Sequence, residues 1–317
     1  MASFIPVRMM EKKIVGLGEV LWDMLPGGAA LGGAPANFAY ITTLMGHRGI
    51  VASRIGQDSR GAEAFGRLRD LGLDVGYLQT DSTQPTGTVQ VEVDNHGQPR
   101  YDIRYPVAWD FLEWTAAWAN LAKEADAICF GSLAQRSAES RATILAFLKA
   151  AAGATAKVFD VNLRQTYYSS DVVAESLQLA DIVKLNDEEL PRIMRLVGLP
   201  HTDEESSAQR LLETYDLNLV CVTRGGRGSL LLRGRERSQH PGYLVRVADT
   251  VGAGDAFTAG LLHEYLRGAP LEEMNETANA LGAWVASEVG AMPNPKGGTL
   301  EEALGEIRRS AAHGSVY

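Results

Sequence analysis

Nine consecutive residues in this chain have the types and spacing for phosphoryl chemistry: Asp249-Thr250-Val251-Gly252-Ala253-Gly254-Asp255-Ala256-Phe257. The alternating stretch Tyr243 to Val247 before them reads as a strand. The residues after them place small and apolar side chains at Ala256, Ala259, Gly260, Leu261 and Leu262, a helical pattern. Gly252-Ala253-Gly254 is therefore predicted to be a strand-to-helix turn. Such a turn binds anions, because the first amides of a helix have no intrahelical acceptor and the helix dipole adds positive charge; glycines also admit a phosphate close to the backbone. A carboxylate at this place repels the ligand it would have to hold, but it suits a general base. Asp255 would take the proton of an attacking hydroxyl while the amides of Gly252, Ala253 and Gly254 hold the transferring phosphoryl group. The competing reading of an isolated G-x-G-D is an Asp that only complements the helix dipole.

A second backbone-exposing turn lies in Leu31-Gly32-Gly33-Ala34-Pro35-Ala36-Asn37, with Pro at the start of a predicted helix. Gly32 and Gly33 would let a ligand approach the main chain, and Asn37 carries both a donor and an acceptor for a pair of sugar hydroxyls. Upstream, the apolar strand Ile14 to Gly18 runs into Glu19 and Asp23. These acids are either solvated where the strand leaves the core, or they line a cleft in which Asp23 accepts hydrogen bonds from a polyhydroxylated ligand.

Placing these residues requires a scaffold. Asp58 caps a predicted helix from Ser59 to Leu71 that stops at Gly72. Thr88 to Arg104 alternates apolar and polar residues on both sides of Asp94-Asn95-His96-Gly97, a β-hairpin whose apolar face must cover a ligand cleft or another subunit. Short apolar strands then alternate with helices: Ala127 to Gly131, a helix near 137–152, Lys157 to Asp160, a helix near 171–180, and Asp181 to Leu185. This order argues for a parallel sheet covered on both faces, with ligands at the carboxyl ends of its strands. Asp160 to Arg164 and Lys184 to Glu189 fall at such ends. Asn186 and Glu189, three apart at the start of a helix, have the spacing of a cap with a first-turn acid. Leu219 to Thr223 is a buried strand followed by Gly225, Gly226 and Gly228, and Glu272 to Glu288 reads as a long helix carrying Asn279.

Bulk properties narrow the field. A hydrophobic fraction of 45% and a charged fraction of 22% are ordinary for a globular chain, and 317 residues can bury a large core. Thirty Lys and Arg against 39 Asp and Glu leave a formal charge of −9, and with no basic run no nucleic-acid partner is expected. No stretch reaches the roughly 18 apolar residues of a membrane span, and no signal-peptide core begins the chain, so no membrane partner and a cytoplasmic location are expected. Cys129 and Cys221 sit in apolar runs, which fits buried thiols rather than a disulfide. The six His are scattered, and there is no H-E-x-x-H, C-x-x-C or G-x-x-x-x-G-K-[ST] string.

The string from Asp249 to Phe257 resembles the C-terminal signature of the ribokinase-like (PfkB) carbohydrate kinases. Gly18 to Asp23 and Gly32 to Asn37 resemble the N-terminal signature of their fructokinase branch. The resemblance runs from about Ile14 to about residue 310, with its motifs in family order. It implies an α/β fold with a doubly wound, mainly parallel sheet flanked by helices. It also implies one kinase domain over 12–317, a small β lid from about 19–30 and 87–106, and an N-terminal extension over 1–11. It further implies ATP and Mg²⁺ as cofactors and Asp255 as catalytic base. Asp23, Gly32, Gly33 and Asn37 would contact a small-molecule sugar, with Arg104 and Arg164 near it. Asn186, Thr223, Gly225, Gly228 and Gly254 would border the nucleotide, with Asn279 walling the adenine. Glu189 would organise Mg²⁺ through water, and Asp249 and Val251 correspond to a K⁺ loop. The lid of the family often forms a dimer contact, so a homodimer through the lid is expected. Phosphorylation of fructose is the leading expectation; 2-keto-3-deoxygluconate, ribose or nucleoside kinases share the machinery, and a non-catalytic sugar or nucleotide sensor is the reading from another class.

Overall fold

Apolar strands that alternate their side chains between two covered faces dominate the structure, a computed structural model that describes residues 11–25, 27–93, 99–296 and 298–312. The strands in chain order are β1 (Lys13–Leu17), β2 (Leu21–Leu25), β3 (Gly28–Gly32), β4 (Arg48–Gly56), β5 (Leu78–Asp81), β6 (Gly87–Val93), β7 (Pro99–Ile103), β8 (Ala127–Phe130), β9 (Ala156–Asp160), β10 (Ile182–Asn186), β11 (Leu219–Thr223), β12 (Ser229–Arg233) and β13 (Glu236–His240). The helices are α1 (Ala34–Leu44), α2 (Ser59–Asp70), α3 (Ala116–Glu124), α4 (Ala138–Ala150), α5 (Ser170–Leu179), α6 (Glu189–Leu196), α7 (Glu204–Thr214), α8 (Ala253–Leu266), α9 (Leu271–Ala286) and α10 (Leu300–Ala312).

Nine strands form one sheet in the order β13-β12-β11-β10-β9-β8-β1-β4-β5, parallel from β11 to β5 and antiparallel only at the β13-β12-β11 edge. The period of two shows directly on β8. Ile128 and Phe130 join the core beneath α3 to α7, whereas Ala127 and Cys129 join the core beneath α1, α2, α8, α9 and α10. This is the doubly wound α/β architecture expected, with helices on both faces. Helix α1 lies directly on β1, since a Cβ on Gly16 would fall 2.0 Å from the Pro35 carbonyl oxygen. Both cysteines are free and buried.

Strands β3-β2-β6-β7 form a second, four-stranded sheet, the expected lid. A ligand cleft or another subunit is the cover expected for its hairpin; Val89 and Ile103 are instead buried in the chain's own core, the one that includes the main sheet. The expected turn at 94–97, and all but Glu11 of the expected extension, lie outside the described residues. No described helix is long and apolar enough to cross a membrane.

One expected element is absent. Tyr243 to Val247 is extended chain but not a strand. Its alternation is real, with Tyr243 and Val245 packed against the core and Leu244 exposed. Pro241 and Gly242 pack against the turn at Gly226 to Gly228, however, and among the described residues no strand pairs with it. Beyond it, the amides of Ala248 and Asp249 donate to the Ala286 carbonyl at the end of α9. The anion turn therefore follows a tethered loop.

Candidate active site

Two helices deliver their N-termini to one place. Asn37 in the first turns of α1 donates from Nδ2 to Oδ2 of Asp255, in the first turn of α8, at 2.8 Å. At the other end, His47 just past α1 and His263 late in α8 approach to 2.9 Å through Nε2 and Nδ1. The helices thus run parallel, and both positive ends face the same cleft. Two His that look unrelated in the sequence are brought together far from the chemistry. Among the described residues no group of three or more His, Cys, Asp or Glu is placed to hold a metal.

Gly252 caps α8 with φ of 79°, a left-handed turn into the helix, and the Ala253 amide donates to the Thr250 carbonyl at 3.3 Å. Beneath Gly254 lies Lys184 of β10; a Cβ on that glycine would sit 3.0 Å from Nζ. Lys184 is buried and ion-paired to both oxygens of Asp160, at 3.1 and 3.2 Å. Thr258 Oγ1 donates to Asp160 Oδ2 at 2.9 Å and sits 3.0 Å from the Gly254 carbonyl. Burial opposes the Lys184 charge, yet Asp160, Glu189 and Asp255 together hold its pKa above the ordinary lysine value. A fixed cation thus underlies the anion turn. Sequence reasoning assigned it no role, although a Lys inside the run Asp181-Ile182-Val183-Lys184-Leu185, with an acid ending the neighbouring strand, was the signal.

Burial and the nearby Asp160 raise the Asp255 carboxyl to about 6, against lowering by Asn37, Lys184 and Arg164. A carboxylate tuned upward in this way is a better base that is still ionised at neutral pH. The acid limb of kcat/KM is accordingly expected near pH 6, with the rate falling about tenfold per pH unit below it. A pH profile of sugar-dependent ADP release checks this, and a limb at the ordinary Asp value would contradict it.

The residues expected to contact a sugar come from the middle of β2, the end of β3 and the start of α1. Gly33 caps α1 at φ 111°, and a Cβ there would lie 2.4 Å from the Glu19 carbonyl oxygen, so no other residue fits without shifting the backbone. A Cβ on Gly32 would lie 3.0 Å from Asp23 Oδ2. Burial raises the Asp23 carboxyl, while Arg164 pulls it down and Asp249 pushes it up. Arg164 also acts on Asp255 and Glu19, so its exposed side chain borders this cleft. Arg104 is exposed at the end of β7, and its amide donates to the Thr88 carbonyl. Glu19, which sequence reasoning left unassigned, is buried with Oε2 unpartnered, and burial foremost, with Asp255, pushes it up to about 7.

Among the residues expected to border the nucleotide and its metal, Asn186 Oδ1 accepts from the amides of Glu188 and Glu189, and Glu189 Oε2 accepts from the Asn186 amide at 2.9 Å. The capping arrangement suggested by the spacing is therefore formed. Glu189 is more than a cap, since Oε1 also accepts from the Leu163 amide at 2.7 Å and ties the ends of β9 and β10 together. Burial raises its pKa despite Lys184. Thr223 ends β11, and Gly225 and Gly228 shape the turn into β12. Asn279 is buried, with its Nδ2 donating to Ser229 Oγ at 2.7 Å and to the Asn275 carbonyl at 2.7 Å. Asp249 Oδ1 accepts from the Val251 amide and Oδ2 from the Gly290 amide, closing the loop beside the turn. A cavity of about 930 Å³ lies elsewhere, between Arg246 to Ala248, the end of α9 and α10, and none of the turn residues lines it.

The chain resembles known proteins in sequence and fold. Residues 27–296 match the pfkB family of carbohydrate kinases. The chain belongs to that family. It is 35% identical over 267 residues to a fructokinase of Klebsiella pneumoniae, covering 80% of this chain and 84% of that protein. Among solved structures, it is similar to a Vibrio cholerae fructokinase with fructose, ADP and calcium ion bound, with a TM-score of 0.76, 27% identity, and 94% of this chain and 99% of that one covered. An uncharacterized sugar kinase of Pyrococcus horikoshii superimposes with a TM-score of 0.79 at 26% identity, covering 93% and 99%. This PfkB-family chain is thus a carbohydrate kinase that moves a phosphoryl group to an alcohol, with ATP and a divalent metal as cofactors.

Mg²⁺ suits the site's donor chemistry. Among the described residues no cluster of three carboxylates forms a cage, and Mg²⁺ prefers few protein ligands, several waters and phosphate oxygens.

Proposed function

We propose that the protein is a fructokinase that phosphorylates fructose on a primary hydroxyl. The observation that carries this reading is the Asn37–Asp255 contact, which joins the sugar-side signature to the base on the anion turn. The fructokinase relative at 35% identity supports the choice of sugar. Asp23, Asn37 and the backbone at Gly32 and Gly33 orient the sugar, with Arg104 and Arg164 at its rim. Asp255 takes the hydroxyl proton as the oxygen attacks. The amides of Gly252, Ala253 and Gly254, with Lys184 behind them, hold the charge of the transferring group. Asn186, Thr223, Gly225 and Gly228 border the nucleotide, and Asn279 supports that wall from within through Ser229. Glu189 would help hold Mg²⁺ through water, and the ion would neutralise charge at the phosphates. The loop of Asp249 and Val251 is our candidate for K⁺.

The test is ADP release with MgATP across fructose, 2-keto-3-deoxygluconate, ribose, mannose, glucose and adenosine. Fructose is expected to give the highest kcat/KM. Higher turnover on another compound would move the substrate and keep the machinery, and binding without turnover on any of them would favour a sensor.

A further inference from the structure

Arg136, which none of the sequence signatures includes, is the most heavily committed cation at the base of the lid. It follows a short 3₁₀ turn, Leu133–Gln135, at the carboxyl end of β8, and its side chain is 2% exposed. Its guanidinium grips Asp110 with two bonds, Nε to Oδ1 at 2.7 Å and Nη2 to Oδ2 at 2.8 Å. Nη2 also donates to the carbonyl of Arg104 at 2.6 Å. The guanidinium carbon lies 3.9 Å from the Trp109 ring centre, 4.8 Å from that of Tyr167 and 5.1 Å from that of Tyr105. Tyr167 in turn donates its hydroxyl to the Ile103 carbonyl at 3.3 Å. The last residue of β7 and the two after it are thus gripped by a planar cation, its carboxylate partner and a ring of aromatics, all fixed to the body.

We infer that Arg136 is a positioning residue for sugar phosphorylation: it anchors the lid hairpin to the ends of the central strands, so that the lid holds the sugar and keeps water from the phosphoryl group. Arg has the geometry for this role and Lys does not, because a planar fork can hold a carboxylate with two bonds, reach a third acceptor and stack on rings at once. Nη1 of Arg136 and Oε2 of Glu19 are both buried and unpartnered, and Arg136 and Arg164 are the cations that act on Glu19, with Asp255 the opposing carboxylate. The hairpin grip and the carboxylates on the cleft floor therefore share one residue. Arg104, a candidate sugar contact, takes its place from this grip through its own carbonyl.

The inference rests on the kinase reading, and its test separates the two. ADP and sugar phosphate are measured in parallel for the wild type, Arg136→Lys and Tyr167→Phe, with hydrogen exchange followed over residues 99–105. Arg136→Lys is expected to raise KM for the sugar by roughly ten- to a hundredfold, leave KM for ATP within about twofold, and increase ADP formed per sugar phosphate. Exchange over 99–105 should quicken. Tyr167→Phe removes one surface-proximal hydroxyl and should move the same quantities in the same direction by a smaller factor. A folded Arg136→Lys with unchanged sugar KM, product ratio and exchange would overturn the anchor. Should Arg136→Lys not fold, unchanged values in Tyr167→Phe would do so. If the wild type phosphorylates no sugar, the kinase reading fails on its own, and the exchange over 99–105 still decides whether Arg136 holds the lid.

Discussion

Asp255→Asn should lower sugar-dependent turnover by about 10²–10⁴-fold, the range a positioned general base contributes, while MgATP still binds. It should not lower stability at pH 8. The Asp255 carboxyl is held at about 6 against an ordinary 3.8, so the folded state binds this proton more tightly than the unfolded chain does. The stability linked to that proton is fully present below the ordinary value and is lost as pH rises through about 6. At pH 8 the protein carries a desolvated, ionised acid. The amide removes that burden at the expense of the base. Steady-state rates together with thermal midpoints at pH 8 check both halves. Turnover within about tenfold of wild type would remove Asp255 from the role of base, and a large fall in midpoint would mean that its bond to Asn37 outweighs the desolvation.

Asp160→Ala should have the largest effect on stability. It leaves the Lys184 ammonium buried beneath the anion turn without its carboxylate, and breaking a buried pair on one side typically costs about 3–5 kcal/mol. Thr258 would lose its bond to Asp160 as well. Replacing both charges, as in Asp160→Ala with Lys184→Met, should recover much of that loss, since apolar substitutes of similar size are often neutral. Turnover should not recover with it, because the cation behind Gly254 would be gone. Denaturant midpoints and kcat of the single and double variants test this. A double variant as active as wild type would assign the pair to packing alone.

Much of the site was legible in local sequence because its chemistry depends on backbone turns. An anion turn needs small residues at adjacent positions before a helix, and Gly252 to Asp255 supply them within four residues. Gly33 and Pro35 mark the other helix start for the same local reason. The parallel sheet was equally legible, since strands buried on both faces must be short and apolar, as at Leu219 to Val222. Asp58 capping α2 follows a rule that acts over three residues.

Tertiary structure alone decided what depends on residues far apart in the chain. Tyr243 to Val247 alternates like a strand, but a strand exists only where another edge offers hydrogen bonds, and no described strand pairs with it. Asn279 could wall a pocket on its helix pattern alone, yet the β12 hydroxyl opposite it claims its amide. Lys184 and Asp160, 24 positions apart, form one buried ion pair because β9 and β10 are neighbours. Arg136 meets Asp110, Arg104, Tyr105 and Tyr167 only when the lid returns to the main sheet. The sequence by itself thus determined the turns, most of the strands and Asp255 as the candidate base, because those follow from backbone geometry over a few residues. Only the tertiary structure decided which charges are buried and with what partners, because desolvation and Coulomb interaction depend on distance in space.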